Sequence, residues 1–218
     1  MGADDINLDQ DRLARLGLVE AVLCSHKSVD QITRILERAG DTRLLLTRLD
    51  EAKWSALPDT VRAILDYDPI SATGFQGARA PVNAPARIAV VSAGTSDLAV
   101  TREAIRTLTF HGQDCLEIND VGVAGLHRLL ARQDEIAAMP VVIAVAGMEG
   151  ALFSVLGGLV PGVIIAVPRS VGLGVGEGGR VALDSALASC APGLVVVNID
   201  NGYGAACAAL RILGMRAG

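Results

Sequence analysis

Five apolar runs in the second half of the chain each end in small, polar or glycine residues, and a stretch of helical spacing follows every one. Val141-Val-Ile-Ala-Val-Ala146 empties into Gly147-Met148-Glu149-Gly150. Gly162-Val-Ile-Ile-Ala-Val-Pro168 empties into Arg169-Ser170-Val171-Gly172 and a string of further glycines. The spacing predicts strands at 87–92, 115–118, 140–146, 162–167 and 194–199. It predicts helices at 97–110, 123–136, 150–159, 179–189 and 203–213. Strict alternation of strand and helix requires βαβ units and a parallel sheet with helices on both faces. The nearly unbroken aliphatic strands fit that sheet, because parallel strands are buried on both sides. Small ligands bind at the carboxyl ends of such strands.

The first part of the chain is less regular. Leu13, Leu16 and Leu18 suggest a first helix. Ile32, Ile35 and Leu36 share one helical face, with Ser28 or Asp30 as the cap. Residues 43–48 read as a strand and 49–57 as a short helix. Pro69, Gly74, Gly77, Pro81 and Pro85 break any periodicity over 66–86, which reads as a linker. The expected fold is therefore α/β: a small α/β region over 1–80, then a three-layer α/β/α parallel-sheet domain over 86–218.

Composition narrows the function. Aromatic residues are 3% of the chain, too few for the stacking platforms of single-strand nucleic-acid binders. The net charge of −5 and pI near 5.2 leave no basic footprint for a nucleic acid. The apolar runs stop short of the roughly 20 residues a membrane helix needs. The acidic start lacks a signal-peptide core. Cys24, Cys115, Cys190 and Cys207 lie far apart with no C-x-x-C spacing, which fits a cytoplasmic protein with reduced thiols. A mean hydropathy of +0.43 reflects either the buried sheet or an interface, and a homo-oligomer, dimer to octamer, is expected.

Each strand end offers candidate chemistry beside a plainer role. Ser92, Gly94, Thr95, Ser96 and Asp97 suit an anion such as phosphate at a helix N-terminus, or simply cap that helix. Asp120 and Gly122 follow the second strand, where Asp120 can cap a helix carrying His127, a surface or packing residue unless it serves a ligand. Gly147, Met148 and Glu149 follow the third strand. Glu149 is either a general base or a cap. Ser170 and Gly172 open the loop after the fourth strand. Within it Gly174, Gly176 and Gly179 satisfy G-x-G-x-x-G with Asp200 about twenty residues on, a weak dinucleotide signal that a lid explains as well. Cys190 is a small packing residue or a nucleophile, the latter needing a nearby cation or the bound substrate. Asn198, Asp200 and Asn201 suit ribose hydroxyls or a turn.

Taken together, Asn-Asp-Val-Gly-Val-Ala-Gly-Leu-His-Arg, Val-Ala-Gly-Met-Glu-Gly-Ala-Leu, Ser-Val-Gly, Ser-Cys-Ala-Pro-Gly and Val-Asn-Ile-Asp-Asn-Gly-Tyr-Gly-Ala resemble one family. It is the LarB family, the carboxylase/hydrolase that starts synthesis of the nickel-pincer nucleotide of lactate racemase. The likeness runs over residues 87–212. It extends weakly to Arg15, Glu20, Lys27 and Ser28, with Cys24 and His26 where the family has glycines. Phe153 replaces a usual proline, and Gly-Leu-Gly-Val-Gly-Glu replaces the usual Gly-Tyr-Gly-Ala-Ser-Phe.

The resemblance implies an aminoimidazole ribonucleotide carboxylase-like domain over 86–218, with Ser92–Asp97 at the position of a phosphate loop. It implies carboxylation of the pyridinium ring of nicotinate adenine dinucleotide by CO2 or bicarbonate, and release of AMP. Cys190, Glu149 and Asp120 would be catalytic and Mg2+ would assist. Ser92, Gly94, Thr95, Asp97, Gly122, His127, Gly147, Met148, Ser170, Gly172, Asn198 and Asn201 would bind substrate. Neither nucleic acid nor membrane is an expected partner. One alternative is a purine-pathway carboxylase or mutase, although that class places a histidine in the loop matching 147–153 and this chain has none. Another is a non-catalytic dinucleotide-binding module built on Gly174–Gly179 and Asp200.

Overall fold

A computed structural model describes residues 6–9 and 11–214. The chain begins with α1 (Arg12–Leu16), stopped by Gly17 in the left-handed region at φ 70°. Leu18 therefore falls outside the helix and is buried against the large domain. β1 (Glu20–Leu23), α2 (Val29–Ala39) and β2 (Leu44–Thr47) form a βαβ unit whose two strands pair in parallel. Ser28 caps α2 by a reciprocal capping box with Gln31. α3 (Glu51–Ala56), capped by Asp50, and the short α4 (Asp59–Arg62) lead to β3 (Leu65–Asp68) and β4 (Thr73–Gln76).

The last two strands correct the linker expected over 66–86. β3 and β4 pair antiparallel and complete a mixed sheet in the order β1-β2-β4-β3. All of β4 is buried, including Thr73 and Gln76. Gln76 Nε2 donates to the Gly40 carbonyl at 2.6 Å. Polar and glycine residues here fill a strand, because tertiary contacts supply the partners that local spacing does not show.

The second half follows the expected alternation. Its strands are β5 (Ile88–Ser92), β6 (Leu116–Ile118), β7 (Val141–Ala146), β8 (Val163–Pro168) and β9 (Leu194–Val196). All pair in parallel in the order β6-β5-β7-β8-β9. The helices are α5 (Leu98–Phe110), α6 (Leu126–Leu130), α7 (Gln133–Ala137), α8 (Ala151–Leu159), α9 (Arg180–Leu187) and α10 (Gly202–Ile212). The helix expected at 123–136 is broken into a 3-10 turn, α6 and α7. β9 is shorter than expected, its pairing with β8 ending at Val196, and the chain turns at Asp200, whose φ is 57°. Among the described residues no helix is long and apolar enough to cross a membrane.

Two cores clamp this sheet. Val100, Ala104 and Leu108 of α5 and Ala205, Ala206 and Ala209 of α10 cover one face. Leu129, Ile136, Leu152, Phe153, Leu156 and Ala182 cover the other. Aliphatic and alanine side chains let helices lie close on a sheet with few aromatics. The N-terminal sheet then packs on α5. Phe75 stacks on Phe110 at 4.5 Å between ring centres, and Arg106 lies 4.1 Å above Phe75. Arg102 reaches both oxygens of Asp68 at 2.9 Å. Buried His111 accepts the Val19 N–H at Nε2, so its Nδ1 proton points to the Thr107 carbonyl. Burial holds this imidazole below its ordinary pKa, and it stays neutral.

Candidate active site

In the order β6-β5-β7 the chain's progress across the sheet reverses between β5 and β7. A crevice opens outside the carboxyl ends of strands at such a point. A pocket of about 340 Å3 lies there. The loop after β5 contributes Gly94, Ser96 and Asp97, and that after β6 contributes Gly122. The loop after β7 contributes Gly147, Met148 and Glu149, and that after β8 contributes Val171, Gly172 and Leu173. Gly147 allows two loops to touch, and Gly172 allows the loop after β8 to fold closely on itself. A Cβ on Gly147 would collide with the Val171 carbonyl oxygen, and one on Gly172 with that of Gly176.

Glu149 is exposed in this largely apolar pocket. The N-cap position of α8 is Gly150, so Glu149 stands one residue before the cap. The capping alternative for Glu149 is therefore removed, and its carboxylate is available to a ligand. Behind the pocket stands a buried ion cluster. Arg169 lies between Asp97, whose carboxylate is 3.7 Å from Nε, and Asp200, which its Nη1 contacts directly. Arg169 also donates to the Ser96 carbonyl at 3.2 Å. Asp97 Oδ2 accepts the Gly94 N–H at 2.9 Å, which fixes the loop after β5. Burial pushes the Asp97 carboxyl above its ordinary value, against the pull of the Gly94 amide and Arg169. Asp200 is also raised by burial, but its bonds to Ser170 and its contact with Arg169 outweigh that and leave it lowered.

Residues 87–217 match the AIR carboxylase family, and residues 3–76 match the LarB/PurE-like N-terminal domain. The chain belongs to the AIR carboxylase family and carries the LarB-type N-terminal domain. An uncharacterised protein of Methanocaldococcus jannaschii is 34% identical over 213 residues, spanning 92% of this chain and 80% of that protein. The crystal structure of a Treponema denticola PurE2 variant shares 21% identity at a TM-score of 0.48, covering 58% of this chain and 79% of that one. The two family matches make this LarB/PurE-type protein an enzyme of the carboxylase kind.

Several residues expected at the LarB-type site lie elsewhere. Ser92 is buried and donates to Asn119 at 2.9 Å, so it braces a loop. Thr95 lies outside the pocket lining, where its neighbour Ser96 stands instead. Asp120, held at φ 58°, pairs with Arg128 and caps no helix. His127 is exposed beyond the lining. Ser170 serves Asp200 through its N–H at 3.0 Å. Asn198 and Asn201 line a second cavity, where Asn201 also caps α10. Of the G-x-G-x-x-G glycines, none lines the main pocket, and Leu173 and Val175 beside them are largely exposed.

Cys190 is the residue farthest from its expected place. It precedes β9 at the amino end of the sheet, where the Gly193 carbonyl accepts from Ile164. Glu149 lies at the carboxyl end, so one chain does not bring the two together. Cys190 is exposed in the single chain, so it does not pack within that chain's own core. Arg169 has no evident role in the sequence, yet it joins three of the strand-end loops. The only local hint is its position immediately after the last apolar residue of a buried strand. Among the described residues no group of three His, Cys, Asp or Glu is placed to hold a metal ion. Asp97 and Asp200 both face Arg169, so the residues present do not fit a resident Mg2+, and no chemical step is assigned to one.

Proposed function

We propose that this protein carboxylates the pyridinium ring of nicotinate adenine dinucleotide with CO2 or bicarbonate and hydrolyses the phosphoanhydride, releasing AMP. The product is pyridinium-3,5-biscarboxylic acid mononucleotide, the precursor of a nickel-pincer nucleotide. The observation that carries the reading is the uncapped Glu149 carboxylate in a pocket at the strand crossover of an AIR carboxylase-type domain.

An electron-poor pyridinium cannot attack CO2. Addition of the Cys190 thiolate forms a carbon–sulfur bond and moves an electron pair onto the ring nitrogen. The adjacent ring carbon is then enamine-like and forms the new carbon–carbon bond to CO2, leaving an iminium. Glu149 removes the proton from that carbon, which restores the enamine. The nitrogen pair then expels the thiolate and the ring is aromatic again. One proton leaves, one carboxylate arrives and the thiol is regenerated. Asp120 is the second choice of base, though its ion pair with Arg128 makes it less free.

Because Cys190 and Glu149 lie at opposite edges of one sheet, the thiol must come from a neighbouring copy. Exposed apolar side chains support that arrangement. Leu187 (66% exposed) and Val195 flank the cysteine in the chain, while Met148, Val171 and Leu173 line the pocket and Val175 (92% exposed) follows in the same loop. Two different apolar patches on one chain suit a head-to-tail contact.

The decisive experiment supplies nicotinate adenine dinucleotide, bicarbonate and Mg2+ and follows products by mass spectrometry. The expected products are AMP and a mononucleotide heavier by one carboxylate. Cys190→Ala should abolish carboxylation, and intact-mass analysis of the wild type should show substrate bound to the peptide containing Cys190. Full carboxylation by the alanine variant would remove the nucleophile from this scheme.

A further inference from the structure

Arg169 stands at the candidate site without a part in the reaction scheme. It follows β8 directly, and its backbone N–H donates to the Ala146 carbonyl at 2.9 Å. Its side chain runs inward, and the residue is 7% exposed. Three strand-end loops meet on the guanidinium. Nη2 donates to the Ser96 carbonyl in the loop after β5, and Nη1 contacts Asp200 in the turn after β9. Asp200 is held in place by the Ser170 N–H at 3.0 Å. The Nε of Arg169 is buried with no hydrogen-bond partner and lies 3.7 Å from Asp97 Oδ1. A buried cation with a donor to spare is costly unless nearby anions balance it. Asp200 supplies one such charge and Asp97 the other. Asp97 is 3% exposed, it lines the main pocket beside Gly94 and Ser96, and its Oδ2 accepts the Gly94 N–H at 2.9 Å.

We infer that Arg169 is a positioning residue, which keeps Asp97 ionised and fixed in the pocket wall as a hydrogen-bond acceptor for the bound ligand. That this ligand is a pyridinium nucleotide, with ribose hydroxyls to donate, rests on the proposed reaction. The geometry gives Arg169 two grips on the acceptor. It ties down the Ser96 carbonyl, next to Asp97 in the chain, and it sets a positive charge behind the carboxylate. The charge is the part that no neutral brace replaces. Burial drives the Asp97 carboxyl toward its neutral form, against the Gly94 amide and Arg169, and Asp200 adds to the rise. Glu149, from the loop after β7, brings a further negative charge to the same pocket. Attractions between buried groups are weakly screened. With the cation removed, Asp97 and Asp200 face one emptied space. Asp97, raised already, takes up a proton before Asp200, whose burial is offset by its bonds to Ser170. The protonated carboxyl is a donor where the ligand needs an acceptor, and it holds the Gly94 N–H less firmly.

The test compares pH profiles on the full chain. Nicotinate mononucleotide binding is followed by calorimetry from about pH 5 to about pH 8, without bicarbonate. Titration of the ligand and of Glu149 is common to all the proteins and cancels between them. In Arg169→Met, the pH at which half the affinity is lost should move up by about one pH unit or more from the wild type. Arg169→Lys keeps the charge and should restore most of the profile. Adding Asp200→Asn to Arg169→Met should bring the midpoint back down, because the second carboxylate is gone. Where Arg169→Met does not fold, Arg169→Gln stands in with the same expected shift. A loss of affinity that is uniform in pH, or one that Arg169→Lys does not repair, would make Arg169 a structural brace and overturn the inference. A ligand-free measurement separates this from the proposed reaction. Without nucleotide, hydrogen exchange over residues 93–98 should lose protection at a higher pH in Arg169→Met than in the wild type. If the wild type binds no nicotinate mononucleotide but the exchange midpoint still shifts, Arg169 keeps its role and the substrate reading falls. If the ligand binds and neither midpoint shifts, the role of Arg169 falls and the substrate reading stands.

Discussion

Glu149 is uncapped, exposed and surrounded by apolar lining, so its replacement tests chemistry with little cost to folding. Glu149→Gln keeps shape and removes the base. Turnover should fall by about 10²–10⁴, the usual worth of a positioned acid–base group, with substrate affinity retained. Single-turnover mass analysis should show the carboxylated Cys190 adduct accumulating; undiminished turnover would shift the role to Asp120. Glu103 makes a separate prediction. Burial pushes its carboxyl up to about 6, against the opposing pull of Arg48 and the α10 amides. The folded state therefore holds this proton more tightly than the unfolded chain. Its contribution to stability is fully present below the ordinary glutamate pKa and is lost as pH rises through about 6. Relative to Glu103→Gln, the wild type should lose about 2 kcal/mol between pH 4 and pH 7. Denaturant melts at both pH values measure this, and a pH-independent difference would show that the carboxyl is not raised.

The elements of the large domain were legible because β7 and β8 are unbroken aliphatic runs and their loops are rich in glycine. The hairpin of β3 and β4 was not. Its strands have four residues each, Gly74 and Gln76 look like loop residues, and their burial depends on α2 and α5. At the site, strand-end residues could be named, because a parallel sheet must present them along one edge. Which of them face the pocket depends on contacts between distant loops. Ser92 turns to Asn119 and Ser170 to Asp200, and neither partner is local. Those loop contacts carry their own prediction. Gly147→Ala places a methyl against the Val171 carbonyl and must push two loops apart, at a cost of about 1–3 kcal/mol. Gly174 also has a positive φ, 55°, but nothing lies within 4 Å of its would-be Cβ. Gly174→Ala should cost only about 1 kcal/mol of backbone strain and leave the pocket intact. Thermal melts and substrate affinity should separate the two variants, with only the first losing affinity. Similar behaviour in both would mean that the β7–β8 loop contact does not shape the pocket.

In the whole molecule, the proposed reaction turns on the position of Cys190. The helix that leads to it begins at the pocket edge and runs back along the sheet, so its end must lie at the far edge. That consequence could be drawn from the order of strands and helices alone. What the sequence of one chain does not contain is the neighbour that would bring the thiol to a second pocket. If the site is shared, two inactive variants must repair one another. Cys190→Ala chains keep a complete Glu149 pocket, and Glu149→Gln chains keep the thiol. After unfolding and refolding an equal mixture, about one pocket in four should pair an intact base with an intact neighbouring cysteine, by random assortment of subunits. Carboxylation should then recover to about a quarter of the wild-type rate, while each variant refolded alone stays inactive. Mixing without subunit exchange should recover nothing, which guards against contamination. If Cys190 instead reached Glu149 of its own chain, every chain in the mixture would lack one of the two groups, and the refolded mixture would be as inactive as its components.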